Sequence, residues 1–266
     1  MSALRLRFKS GGSAPIDLSD LTPATLAGRS HYEINTIPVS AQSTVGDHFD
    51  VSGEPAETLI FEGTTSLCDG IGSGLRSGTI VVEGHVGAYA ARFMKSGRLD
   101  IRGNAGGFLA AGMKGGIVTL TGSAGDFVGA LLPGEKFGMT GGTVHIAGAA
   151  GDRIGDRMRR GTIIVKGKTG AVAGSRMVGG TIWTETGFGT DPGTLLRRGT
   201  LIGPAVERML PTFSDCGLHD MVFLRLISRH IAEILGPLAP KPLPPKVRRF
   251  AGDLATIGKG ELLLTA

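Results

Sequence analysis

The segment Met158-Arg159-Arg160-Gly161-Thr162-Ile163-Ile164-Val165 returns 19 residues later as Met177-Val178-Gly179-Gly180-Thr181-Ile182-Trp183-Thr184. Both hold a glycine followed by a four-residue run with apolar members at its centre. Working outward, the marker glycine stands at Gly78, Gly97, Gly116, Gly142, Gly161, Gly180 and Gly199, at intervals of 19, 19, 26, 19, 19 and 19. The long interval holds seven surplus residues, Leu131 to Phe137. The other runs are Thr79-Ile80-Val81-Val82, Arg98-Leu99-Asp100-Ile101, Ile117-Val118-Thr119-Leu120 and Thr143-Val144-His145-Ile146. An earlier copy begins at Thr58 and a shortened last one at Thr200. Second and fourth positions are almost always apolar while the third varies, the period-two mark of a strand with one buried face.

No copy contains the roughly 10–15 helical residues of a β-α-β crossover, so that array is excluded. Each copy has one strong run rather than two joined by a tight turn, which excludes a hairpin repeat. What remains is an all-β core in which each copy is one rung stacked on the last. This is a single-stranded parallel β-helix (β-solenoid) of about seven to eight rungs. Stacking at ~4.8 Å makes a rod roughly 35 Å long. Met94, Met113, Met139, Met158, Met177 and Leu196 share one station. They read as adaptable core fillers rather than a soft-metal ladder, because no cysteine or histidine joins them.

The chain has 266 residues with 28 basic and 23 acidic side chains, a net charge of +5, and 45 glycines. Most glycines and the basic surplus fall in the repeats. The expected division is therefore a β-rich lead-in over 1–57, the β-helix over 58–203, and a helix with a proline-rich arm over 204–266. Leu4-Arg5-Leu6-Arg7-Phe8 reads as a strand, and Ser19-Asp20-Leu21-Thr22-Pro23 as a turn and helix start. Met221 to Leu235 has helical apolar spacing, ending at Gly236-Pro237. Leu238 to Pro245 reads as an extended polyproline arm, able to cap the rod or to reach a partner. No apolar run suits a membrane span, and no signal-peptide core is visible. Two cysteines, Cys68 and Cys216, cannot form a disulfide framework, so a cytoplasmic location is expected.

Catalytic signatures are sparse. The six histidines are scattered and give no metal-ligand spacing, so neither a catalytic nor a metal site is expected. Gly70-Ile71-Gly72-Ser73-Gly74 lacks the helix a phosphate loop needs. Asp126 and Asp152 share a station, where turn capping outweighs an acid/base pair. The arginines are more suggestive. Arg153, Arg157, Arg159 and Arg160 cluster, Arg176 repeats the Arg157 station, and Arg197-Arg198 repeats Arg159-Arg160. Stacking turns them into a basic stripe, read either as a solvated or partner-facing surface or as a track for a polyanionic ligand. Nucleic acid is disfavoured because aromatic residues are not interleaved with the arginines.

Three features together resemble the C subunit of formylmethanofuran dehydrogenase. They are the lead-in Val45-Gly46-Asp47-His48-Phe49-Asp50-Val51-Ser52-Gly53, the glycine pairs that close rungs (Met113-Lys114-Gly115-Gly116, Met177-Val178-Gly179-Gly180), and Gly125-Asp126-Phe127-Val128-Gly129. The chain is similar also to the related subunit of the bacterial formyltransferase/hydrolase complex and, distantly, to the glycine-rich C-terminal domain of glutamate synthase. The resemblance implies a right-handed coil and a non-catalytic scaffold in a dimer of heterotetramers. Its implied partners are the amidohydrolase-like A subunit, the B subunit and the formyltransferase D subunit. No cofactor is implied on this chain; the partners would hold zinc and, in the dehydrogenase, a molybdenum or tungsten pterin. The implied reaction moves a formyl group from formyl-tetrahydromethanopterin to a methanofuran-type carrier and releases formate. That carrier's acidic glutamyl tail would suit the arginine stripe. Nineteen arginines against nine lysines favour the bacterial version. The competing class is a stand-alone β-helix enzyme, against which the chain has only Trp183, Tyr32 and Tyr89 for sugar platforms.

Overall fold

The computed structural model describes residues 3–9 and 14–265. Met1 and Ser2 of the lead-in, residues 10–13 and Ala266 lie outside the described residues. The chain is mostly β, built on one 13-stranded, mostly parallel sheet with few helices. Eight strands of this sheet, Thr58–Glu62, Thr79–Glu83, Arg98–Ile101, Ile117–Leu120, Thr140–Ile146, Arg160–Val165, Thr181–Thr184 and Arg198–Gly203, lie side by side in chain order, while Cys68–Asp69 and Phe188–Thr190 between them pair in two small sheets of their own. The eight pair in parallel and in register, one copy on the next, as Ile80↔Leu99↔Val118↔Val144↔Ile163↔Ile182↔Leu201 shows. The register is fixed because a one-residue slip would turn every apolar side chain to the other face.

Contacts between copies extend beyond the strands. A second line of parallel bridges joins Val86, Ala105, Ala124, Ala150 and Thr169. A third line joins the turns: Ala91, Ala110, Gly129, Gly155, Gly174 and Gly193 each donate their N–H to the preceding copy. Residues at alternate turn positions take the left-handed conformation even where they are not glycine, as at Tyr89, Phe108, Phe127 and Arg153. The surplus residues from Leu131 leave the stack after Ala130, and the chain rejoins where the Met139 N–H donates to the Gly129 carbonyl at 2.7 Å.

Second and fourth run positions are buried, with Leu59, Phe61, Ile80, Val82, Leu99, Ile101, Val118, Leu120, Val144, Ile146, Ile163 and Val165 in one core. The methionine station is fully buried from Met94 to Met177, with Leu196 after it. Each methionine tip lies under a marker glycine, which gives that glycine its reason. At Gly161 (φ +102°) a Cβ would come within 2.8 Å of both the Met139 Cε and the Gly142 carbonyl oxygen.

The flanking segments close both ends. Leu4–Phe8 adds in parallel to Thr58–Glu62, and Phe49–Ser52 adds antiparallel beyond it. The expected helix start appears as Pro23–Leu26, with Thr22 as its cap. At the other end Lys259–Leu264 pairs in parallel with Arg198–Gly203, followed by antiparallel Lys246–Gly252 and Ser214–Asp220. These last three strands are not announced by the sequence pattern; Ser214–Asp220, for one, is polar and exposed throughout most of its length. The helix Val222–Leu235 lies over the outer face of the sheet, packing Leu224, Ile227, Ile231 and Leu235 against Ile164, Trp183, Ile202 and Leu263. The arm turns back along it. Lys241 N–H donates to Glu185 Oε1 (3.0 Å) and Leu243 N–H to Ser228 Oγ (3.0 Å).

His145, in the strand Thr140–Ile146, is 1% exposed, and neither ring nitrogen has a hydrogen-bond partner among the described residues. Burial, reinforced by the Lys166 ammonium, pushes its pKa down to about 4. The folded chain therefore resists the protonation that the unfolded chain accepts near pH 6.5. Stability should be complete above that value and should fall as pH drops towards 4, by about 3 kcal/mol for the whole transition. His145→Leu should remove that slope and leave stability at pH 7 unchanged or higher, read by chemical denaturation at both pH values. Gly161→Ala should cost about 2–4 kcal/mol in the same assay, since the alanine would sit at an unfavourable φ and against Met139.

Candidate functional site: a basic groove on the repeat turns

The turn that follows each strand brings the arginines together with groups far away in sequence. Arg157, Arg176 and Arg197 line a cavity of about 410 Å³ with Lys136 and Phe137 of the insertion, Val178, Leu195, and Thr256 of the C-terminal segment. Arg159, Arg197 and Arg198 line an adjoining one of about 310 Å³ with Phe137, Val178 and Ile257. Arg153 and Arg176 flank a smaller hollow of about 180 Å³. Arg160, exposed at the start of its strand, lines none of the three. The result is an amphipathic groove, with apolar side chains between basic ones.

The seven arginines are not equivalent. Arg176 turns its charge inward: its guanidinium holds Asp156 by two hydrogen bonds, Nε to Oδ1 at 3.0 Å and Nη2 to Oδ2 at 2.5 Å. Ser175 Oγ donates to the same carboxylate, whose side chain is 2% exposed. A buried carboxylate needs such partners, because an unpaired one costs several kcal/mol. Arg159 lies over the Phe137 ring at 4.9 Å, a cation–π contact that the sequence did not announce. Arg153, Arg157, Arg159, Arg160, Arg197 and Arg198 make no ion pair among the described residues. Lys136, Phe137, Thr256 and Ile257 were missed by sequence reasoning, because they come from the insertion and from a loop before the last strand. In the structure Ile257 and Leu195 stand exposed beside the arginines.

Other candidates resolve into structure. Asp126 Oδ1 accepts the Asp152 N–H at 2.8 Å, and Asp152 Oδ1 accepts the Ala171 N–H at 2.7 Å, so both cap turns of the next copy. The N–H groups of Gly70 and Gly74 donate to the carbonyls of Ala88 and Arg92 and are not free for a phosphate. No cluster of three or more His, Cys, Asp or Glu side chains able to hold a metal occurs among the described residues. No helix among them is long and apolar enough to cross a membrane.

Searched against protein-family models, the chain matches none. It is 44% identical over its whole length to the whole of the C subunit of the formyltransferase/hydrolase complex Fhc of Methylorubrum extorquens. It is 34% identical over 97 residues, about a third of each chain, to the C subunit of tungsten-containing formylmethanofuran dehydrogenase 2 of Methanothermobacter thermautotrophicus. Its structure superposes with a TM-score of 0.93, at 38% identity, on a chain of the crystal structure of the formyltransferase/hydrolase complex (FhcABCD) from Methylorubrum extorquens in complex with methylofuran, covering 98% of this chain and 99% of that one. With a full-length match in sequence and in fold, the chain belongs to the family of the C subunit of the formyltransferase/hydrolase complex, related to the C subunit of formylmethanofuran dehydrogenase.

Proposed function

We propose that this chain is the non-catalytic scaffold subunit of a cytoplasmic formyltransferase/hydrolase complex. In that complex a formyl group passes from formyl-tetrahydromethanopterin to a methanofuran-type carrier and is then released as formate. The observation that carries this reading is the full-length relationship to the C subunit of Fhc; the dehydrogenase subunits match over only about a third of the chain. The catalytic metals and any pterin belong, on this reading, to the partners: the amidohydrolase-like A subunit, the B subunit and the formyltransferase D subunit, arranged with this chain as a dimer of heterotetramers. The repeats over 58–203 are its rigid element, a right-handed parallel β-helix between a lead-in over 1–57 and a cap over 204–266. The three lines of inter-copy hydrogen bonds support that geometry.

The basic groove is assigned to the carrier's acidic tail. Arg153, Arg157, Arg159, Arg197 and Arg198, with Lys136, supply the positive charge of the lining, Arg160 adds its exposed charge from the start of its strand, and Arg176 holds the turn through Asp156 rather than facing the ligand. Phe137, Val178 and Ile257 give the groove apolar contact area. Exposed pairs of this kind contribute about 0.2–1 kcal/mol each and weaken with salt. The triple variant R157E/R159E/R160E in the assembled complex should therefore lower affinity for a glutamate oligomer by about tenfold or more, with a shallower salt dependence, as isothermal titration would read. Unchanged affinity and unchanged assembly would remove the groove from the carrier's path.

A further inference from the structure

The station that carries Arg159 and Arg197 into the groove is basic in the first copies too, on the far side of the insertion. Two residues before each marker glycine stand Arg76, Lys95, Lys114, Thr140, Arg159, Val178 and Arg197. Their backbones form one ladder. The N–H groups of Lys95, Lys114 and Thr140 each donate at 2.7 Å to the carbonyls of Leu75, Met94 and Met113, and those of Arg159, Val178 and Arg197 continue it at 2.9 Å. Arg76, Lys95 and Lys114 are exposed, and none makes an ion pair among the described residues. In the same copies Arg98 and Arg102 are paired, with Asp100 and Glu83. Stacking thus holds the backbones of three like-charged residues ~4.8 Å apart with no ion-pair partner among the described residues, an arrangement that costs free energy which an anionic partner would recover. The residues that follow, Ser77, Ser96 and Gly115, are small and leave room for close approach.

We infer that Arg76, Lys95 and Lys114 form a docking stripe for an acidic α-helix of another subunit, an inference that rests on the scaffold reading above. Carboxylates three or four residues apart on one helix face recur every turn, at ~5.4 Å, close to the ~4.8 Å repeat of the stripe. Across three charges the mismatch is ~1 Å, within the reach of lysine and arginine side chains. The stripe is divided from the groove by Thr140 and by the insertion from Leu131 to Phe137, which favours an occupant of its own over the carrier's tail.

The test uses the tagged chain purified with its partners from the native host. A carbodiimide, which joins an amine to a carboxylate as an amide with loss of water, should link Lys95 and Lys114 to carboxylates three or four residues apart in one segment of one partner. R76Q/K95Q/K114Q relieves the repulsion, so its melting temperature should equal or exceed the wild type. Its recovery of that partner should drop by about tenfold or more, while the complex keeps its affinity for a glutamate oligomer. Absence of such links, or wild-type recovery of every partner by the variant, would overturn the inference. So would loss of oligomer affinity in this variant, which would make the stripe part of the tail's track. If the tagged wild-type chain brings no partner at all, the scaffold reading itself falls, and a docking stripe with it.

Discussion

The constraint on which the structure depends is that no copy of the repeat can satisfy its own backbone. Strand, bridge and turn N–H groups alike donate to the carbonyls of the neighbouring copy. An unpaired buried amide costs about as much as a lost hydrogen bond, so the copies are stable only as a stack. The same rule makes the two end copies incomplete. Leu4–Phe8 and Lys259–Leu264 finish them, and the antiparallel strands beyond carry the sheet out to solvent. Where the last edge is left open it is blunted by its own side chains. Asp215 accepts the Gly217 N–H, and the His219 ring pairs with the Cys216 carbonyl.

Stacking in register also forces like onto like. For apolar groups this is favourable: methionine lies over methionine, and Tyr89, Phe108 and Phe127 stack with ring centroids 5.3 and 4.8 Å apart. For polar groups it works when one member donates and the next accepts, as in the chain of caps from Asp126 through Asp152 to Ala171. For charges it fails, since a column of one sign cannot neutralise itself. The remedies are visible one by one. Arg102 crosses to Glu83, Arg176 reaches inward to Asp156, and Arg208 pairs with Asp191. Elsewhere, as at Arg76, Lys95 and Lys114, the charges stand exposed with no ion-pair partner among the described residues and are left to solvent and to whatever anion approaches.

Legibility in the sequence follows the same physics. The 19-residue period, the strand runs and the methionine station could be read because in-register pairing repeats each requirement once per copy. What does not repeat could not be read. The third position varies from copy to copy, and the pattern alone does not say that in the later strands this outer face is covered. It is buried beneath Val222–Leu235, which explains why Ile164, Trp183 and Ile202 occupy third positions where the earlier copies hold Asp100 and Thr119. The helix was legible from its spacing, but its docking face was not, because the match lies between two segments of different period. The groove was half legible. Its arginines sit at repeat stations, while Lys136, Phe137, Thr256 and Ile257 are brought in by excursions from the stack. The inward turn of Arg176 was hidden as well, since Asp156 lies at a station held elsewhere by Ser73, Arg92, Ala111 and Ser175.

A stack of this kind suits a scaffold for a reason that lies in its hydrogen bonds. The backbone positions of the groove arginines are fixed by bonds between copies, whereas the side chains of Arg153, Arg159, Arg197 and Arg198 are exposed and make no ion pair among the described residues. The site is therefore ordered in position but soft in contact. Each exposed ion pair contributes about 0.2–1 kcal/mol, so half a dozen together can retain an anionic chain while any one of them breaks readily. A chain held in that manner can shift along the groove without leaving it. A deep pocket with a few strong, buried contacts would hold its ligand more tightly and would stop that movement.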